Sequence, residues 1–108
     1  MSVTRLIRYV TKPECAEENA RLVGAVFAEL DTAQPDGLQY QSLRLEDGLT
    51  FVHVVTTTGT ANPLLTSQAF QAFSSTVADR CTEGPVVTEA TQLGDYPGGI
   101  VRAVAGSR

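Results

Sequence analysis

The twenty residues LQYQSLRLEDGLTFVHVVTT (Leu38–Thr57) decide the architecture. Two strand-like runs, Leu38–Leu45 and the Val- and Thr-rich Leu49–Thr57, flank Asp47-Gly48, a strong short-range signal for a β-hairpin. With a loop of two or four residues, Leu43 pairs with Val52, Ser42 with His53, Arg44 with Phe51 and Tyr40 with Val55. One face then holds Leu43, Leu45, Val52 and Val54, a core-like set expected to meet helices. The other holds Tyr40, Ser42, Arg44, Phe51, His53 and Val55, a mixed polar and aromatic set suited to an interface. A three-residue loop with a bulge would exchange the faces.

Outward from the hairpin the pattern is regular. Val3–Val10 reads as a first strand. The stretch TKPECAEENARLVGAVFAEL (Thr11–Leu30) reads as a helix, with Thr11 and Glu14 at capping-box spacing. Ala16, Ala20, Val23, Phe27 and Leu30 share one face of it. Asn62-Pro63 opens a second helix, with Leu65, Ala69, Phe73 and Val77 on a common face, which ends before Gly84-Pro85. Val86–Leu93 is the last strand. The order β-α-β-β-α-β is the ferredoxin-like arrangement: α+β, a four-stranded antiparallel sheet with two helices on one face. Residues 1–95 form that domain, and 96–108 a C-terminal tail with a short apolar patch, Ile100–Val104.

Two helices cover only one side of such a sheet, yet FVHVV (Phe51–Val55) shows no half-exposed alternation. A second copy of the chain, packed sheet to sheet, is the economical cover for the other side. His53 is then expected to face the partner.

Composition narrows the function classes. The 108 residues are enough for one domain with a real core. Eight basic residues scattered among twelve acidic ones, with a net charge of −4, make no stripe for a phosphate backbone, so no nucleic-acid partner is expected. No run approaches the length of a membrane span, and the start MSVTRLIRYV lacks signal-peptide regions, so a cytoplasmic address without membrane contact is expected. Cys15 and Cys81 form no CxxC pair. Two free thiols are the leading reading, although the fold brings the start of the first helix and the end of the second to one sheet edge.

Three stretches together resemble the antibiotic-biosynthesis-monooxygenase-like domains of the dimeric α+β barrel superfamily: a first strand ending in VTKP (Val10–Pro13) before a helix, PDGLQYQSLRLEDGLTFVHVV in the middle (Pro35–Val55), and LTSQAFQAF (Leu65–Phe73). That superfamily includes cofactor-independent oxygenases acting on aromatic polyketides, haem-degrading oxygenases, isomerases and domains of unassigned role. The resemblance implies a pocket in each subunit, commonly between helices and sheet. Its haem-degrading branch uses an Asn on the first strand, with a Trp and a haem-ligating His on the second-helix segment. The matching positions here hold Leu6, Leu64 and Ser74, and the chain has no Trp, so haem degradation is not expected.

His53, the only histidine, is a candidate general base because its ordinary pKa lies near neutrality. A histidine bonded to Ser42, Tyr40 or a partner group is the leading alternative. Tyr9, Tyr40, Arg8 and Arg44 could orient an oxygenated or anionic substrate; tyrosines and arginines in strands are also ordinary interface residues. Phe27, Phe70 and Phe73, with strand valines and leucines, are the expected lining of an apolar pocket. No metal-ligand spacing and no phosphate loop occur, and no cofactor is implied. Two functions follow: a small-molecule-binding domain, enzyme or not, of the cofactor-independent monooxygenase kind if an enzyme; or a non-catalytic dimeric structural or ligand-sensing module.

Overall fold

The computed structural model describes residues 2–59 and 61–96. The elements are β1 (Ser2–Thr11), α1 (Ala16–Ala33), β2 (Leu38–Arg44), β3 (Thr50–Thr58), α2 (Gln68–Thr76) and β4 (Cys81–Ala90). All strand pairs are antiparallel, in the order β2-β3-β1-β4, which is the ferredoxin-like order. Tyr9, Phe51 and Val55 of the sheet pack with Val23 and Val26 of α1 and with Phe73 and Val77, the last just beyond α2. The tail patch Ile100–Val104 lies outside the described residues.

The hairpin register is the one read for a loop of two or four residues: Leu43 pairs with Val52, Ser42 with His53 and Arg44 with Phe51. The Leu45 amide donates to Thr50 O at 2.9 Å and closes a four-residue loop. Asp47 shapes it: one carboxylate oxygen accepts from the amides of Leu49 (2.9 Å) and Thr50 (2.8 Å), the other from the Thr50 hydroxyl (2.7 Å). Gly48, at φ 74°, takes the left-handed conformation the turn requires.

The faces are the reverse of the sequence expectation. His53 (1% exposed), Phe51 and Val55 point to the helices, whereas Leu43 is 45% exposed and Val52 and Val54 are half-buried on the open side. A mixed aromatic and polar set can pack inward when its buried polar tips find partners, as His53 does with Tyr40 at 2.8 Å and with Tyr9 at 2.7 Å. His53 therefore faces neither solvent nor a partner sheet.

Both helices begin differently from their expected starts. Thr11 makes no capping box: it stays in β1, where its amide donates to Leu49 O at 2.8 Å. Pro13–Cys15 forms a 3-10 turn, and α1 continues past Leu30 until Gln34 turns left-handed. The second helical segment is broken. Asn62 caps a 3-10 turn, Pro63–Thr66, and Ser67 caps α2 by accepting from the Phe70 amide at 3.0 Å. This shifts the phase, so Leu64 is buried at 1% while Leu65, expected inward, is 67% exposed. β4 starts at Cys81, five residues earlier than Val86, and runs through Gly84-Pro85. Pro is tolerated there because β4 is an edge strand. Gly84, at φ 80° with its α-carbon side against Arg8 O, accommodates the register shift that follows Arg8.

Candidate functional site

Beneath the helices a line of hydrogen bonds joins five side chains from five parts of the fold. Arg80, after α2, donates from Nε to Asn19 Oδ1 at 3.0 Å. Asn19, near the start of α1, donates from Nδ2 to the Tyr9 hydroxyl at 2.9 Å. That hydroxyl lies 2.7 Å from His53 Nε2, and His53 Nδ1 lies 2.8 Å from the Tyr40 hydroxyl. Strand alternation explains the convergence: Tyr9, His53 and Tyr40 are helix-facing positions on β1, β3 and β2.

Aromatic rings and further hydrogen bonds surround the line. Tyr9 stacks on Phe51 with ring centroids 5.5 Å apart, and Phe73 lies 5.4 Å from the His53 ring. The Arg80 guanidinium sits 5.4 Å above the Phe73 ring and also donates to Thr76 Oγ1 (2.6 Å) and Phe73 O (3.0 Å). A buried cation is thus met by neutral acceptors and a π face instead of a carboxylate. Among the described residues no buried side-chain nitrogen or oxygen lacks a partner.

Burial sets the protonation states. It pushes His53 down to about 4 from 6.5, so the ring is neutral at physiological pH. Burial lifts Tyr9 to about 12, against the opposing hydrogen bond from Asn19, and lifts Tyr40 as well. Both phenols keep their protons. A neutral ring with both nitrogens engaged, and a pKa well below neutrality, is poorly matched to general-base work.

The line ends at an opening. Phe27 and Leu30 of α1, Gln34, Pro35, and Leu38 and Tyr40 of β2 line a surface cleft of about 240 Å³. Phe27 lies against Tyr40 at 4.8 Å between centroids. A larger hollow of about 700 Å³ is bordered by Thr4, Gln41, Val54, Thr56 and the segment from Gln92 to Asp95. It lies mainly on the open side of the sheet and, Tyr40 apart, touches none of the five side chains. The smaller cleft is therefore the better candidate, because it joins an aromatic wall to the end of the polar line.

The candidate residues separate accordingly. Tyr9, Tyr40 and His53 come together. Arg44 does not join them: it bonds Glu17 at 2.8 Å and Gly48 O at 3.0 Å near the surface. Arg8 pairs with Val52 and shares its open side. The three phenylalanines divide: Phe27 lines the cleft, Phe73 is buried under His53, and Phe70 packs on Phe73 at 6.0 Å. Sequence reading missed Asn19 and Arg80. Asn19 had a signal, a polar residue three positions after Ala16 and four before Val23 on the apolar stripe of α1. Arg80 follows Val77 by three, but nothing in the sequence links it to a residue 61 positions away. Cys15 and Cys81 are free thiols, and Cys81 donates to Val77 O at 3.1 Å.

No protein-family model and no curated protein matches the sequence. Solved structures match its fold across nearly the whole chain. A single-substitution variant of SnoaB, a cofactor-independent oxygenase from Streptomyces nogalater, is 17% identical with TM-score 0.63, over 89% of this chain and 97% of that one. A dimeric ferredoxin-like protein of unknown function from Jannaschia sp. CCS1 is 14% identical with TM-score 0.64, over 85% and 100%. An antibiotic biosynthesis monooxygenase is 12% identical with TM-score 0.64, over 85% and 99%. The ferredoxin-like fold and its likeness to antibiotic-biosynthesis-monooxygenase-like structures are thereby established, at the level of fold.

Proposed function

We propose that the chain is a small-molecule-binding subunit of a homodimer, with a planar apolar ligand held in the cleft beside Phe27 and Tyr40. The observation that carries this reading is the stacked Phe27–Tyr40 pair on the cleft wall, with the Tyr40 hydroxyl tied through His53 to the buried interior. Aromatic rings supply a flat contact surface, and the hydroxyl supplies one oriented polar group. The neutral, doubly bonded His53 favours binding over base catalysis at this site. The test is chemical-shift mapping with naphthalene. Shifts concentrated at Phe27, Leu30, Leu38 and Tyr40 are expected; shifts confined elsewhere would refute the cleft.

The dimer reading rests on the open side of the sheet. Leu6, Leu43, Val52, Val54 and Val86 form a largely apolar band on all four strands, interrupted by Arg8 between Val52 and Val86, and Leu43 and Val86 are 45% and 60% exposed in the single chain. A dimeric protein with the same fold supports a second copy as its cover. Val54 lies mid-band, paired with Leu6 and Gln41. Val54→Arg would bury an unpaired charge, a cost of several kcal/mol, and should weaken dimerisation by roughly 100-fold or more while leaving the fold intact. Native mass spectrometry checks this. A Val54→Arg dimer as tight as the parent would place the interface elsewhere.

A further inference from the structure

The hydrogen-bond line has a direction, and Arg80 sets it. A guanidinium only donates, so the atom it meets at 3.0 Å is the Asn19 carbonyl oxygen, and the Asn19 amide nitrogen must point to Tyr9. The Tyr9 oxygen therefore accepts from Asn19. Two arrangements remain. In one, Tyr9 gives its proton to His53 Nε2, the neutral ring carries its proton on Nδ1 and gives it to the Tyr40 oxygen, and the Tyr40 proton is left over. In the other, His53 carries its proton on Nε2, Tyr40 donates to Nδ1, and the Tyr9 proton is left over.

Burial separates the two. Tyr9 is 1% exposed, and its hydroxyl has no neighbour besides Asn19 and His53 among the described hydrogen bonds. A leftover proton there would be a buried donor without an acceptor, which folded proteins avoid. Tyr40 is half-buried and lines the cleft, where solvent or a ligand can accept. The first arrangement satisfies every buried group.

We infer that Arg80 and Asn19 act as positioning residues that aim the Tyr40 hydroxyl proton into the cleft, so that the site selects a planar aromatic ligand bearing a hydrogen-bond acceptor, a carbonyl or phenolate oxygen. This rests on the cleft reading above for the ligand's location, but the proton order is a property of the network alone. It makes specificity depend on Arg80, four hydrogen bonds from the Tyr40 oxygen.

Asn19→Asp reverses the line without changing its shape. An Asp carboxylate accepts from both Arg80 and Tyr9, so Tyr9 must then accept from His53 Nε2–H, and Tyr40 must donate to Nδ1. Two matched probes read the consequence: 1-acetonaphthone, and 1-isopropenylnaphthalene, in which a CH₂ group replaces the carbonyl oxygen. The parent should show the Nδ1–H tautomer by ¹⁵N NMR and prefer the ketone by about fivefold, the size of one net hydrogen bond. Asn19→Asp should show the Nε2–H tautomer and lose that preference. Tyr40→Phe, a second route should Asn19→Asp not fold, should lose the preference while His53 keeps Nδ1–H. An Nε2–H tautomer in the parent, or an unchanged ketone preference in Tyr40→Phe, would overturn the proposal. Binding of neither probe, with the tautomer as stated, would instead overturn the cleft reading and the ligand half of the proposal with it.

Discussion

Phe73→Ala should lower the unfolding free energy by about 4 kcal/mol, within the range for emptying a buried aromatic site. Phe73 is 6% exposed and lies against three of the five side chains of the line, Tyr9, His53 and Arg80. Its ring centroid lies 5.4 Å from that of His53, 6.2 Å from Tyr9 and 6.0 Å from Phe70, and the Arg80 guanidinium rests on its face at 5.4 Å. Truncation leaves a void under His53 and uncovers one side of a desolvated cation. A domain of this size has a total stability of about 5–15 kcal/mol, so a large share would go in one step. Phe73→Leu separates the contributions, because it keeps most of the volume and removes the π face; a loss of about 1–2 kcal/mol is expected. Urea unfolding of both variants checks this. Equal losses in the two would show that packing volume carries little of the effect.

The second large effect is a loss of stability on mild acidification. The unfolded chain protonates its histidine near 6.5, whereas the folded ring resists until about 4. Between those values the unfolded state binds more protons, so stability falls as pH falls. The contribution is fully present above 6.5 and shrinks through the window. From pH 7 to pH 5 it should fall by about 2 kcal/mol, reaching about 3 kcal/mol by pH 4. The upper part of the window is informative because Glu17, Glu18 and Asp47, whose pKa values are lowered by bonds to Arg44, Arg21 and Thr50, lose their charge only further down. His53→Gln has an uncharged side chain able to donate and accept between the two hydroxyls. It should flatten the slope between pH 7 and pH 5. An unaltered slope would move its origin away from His53.

Element order and hairpin register were legible because they depend on local signals: β-branched runs, Asp47-Gly48, and the periodicity of α1. The orientation of β3 was not. Sorting its residues by hydropathy sends Val52 and Val54 inward, but the fold buries His53 with Phe51, because Tyr9 and Tyr40 satisfy both ring nitrogens. Those partners come from two other strands, and no local rule reports them. The same holds for Asn19 and Arg80, whose shared hydrogen bond spans most of the chain. At Leu64 and Leu65 the failure is one of phase, since a 3-10 turn rotates the stripe that a continuous α-helix would present. Tyr9, Tyr40 and His53 were singled out by residue type. Their mutual arrangement, which gives the site its chemistry, belongs to tertiary structure.

His53, with both ring nitrogens bonded and its pKa pushed down to about 4 by burial, is expected to stay neutral as a link in the buried line. With a single histidine in the sequence, one set of imidazole resonances reports on it. An NMR titration of that ring from pH 8 to pH 5 should show a neutral imidazole throughout, with its midpoint below pH 5. A midpoint near 6.5 would contradict the account, since it would make His53 a solvated group free to exchange protons at neutral pH.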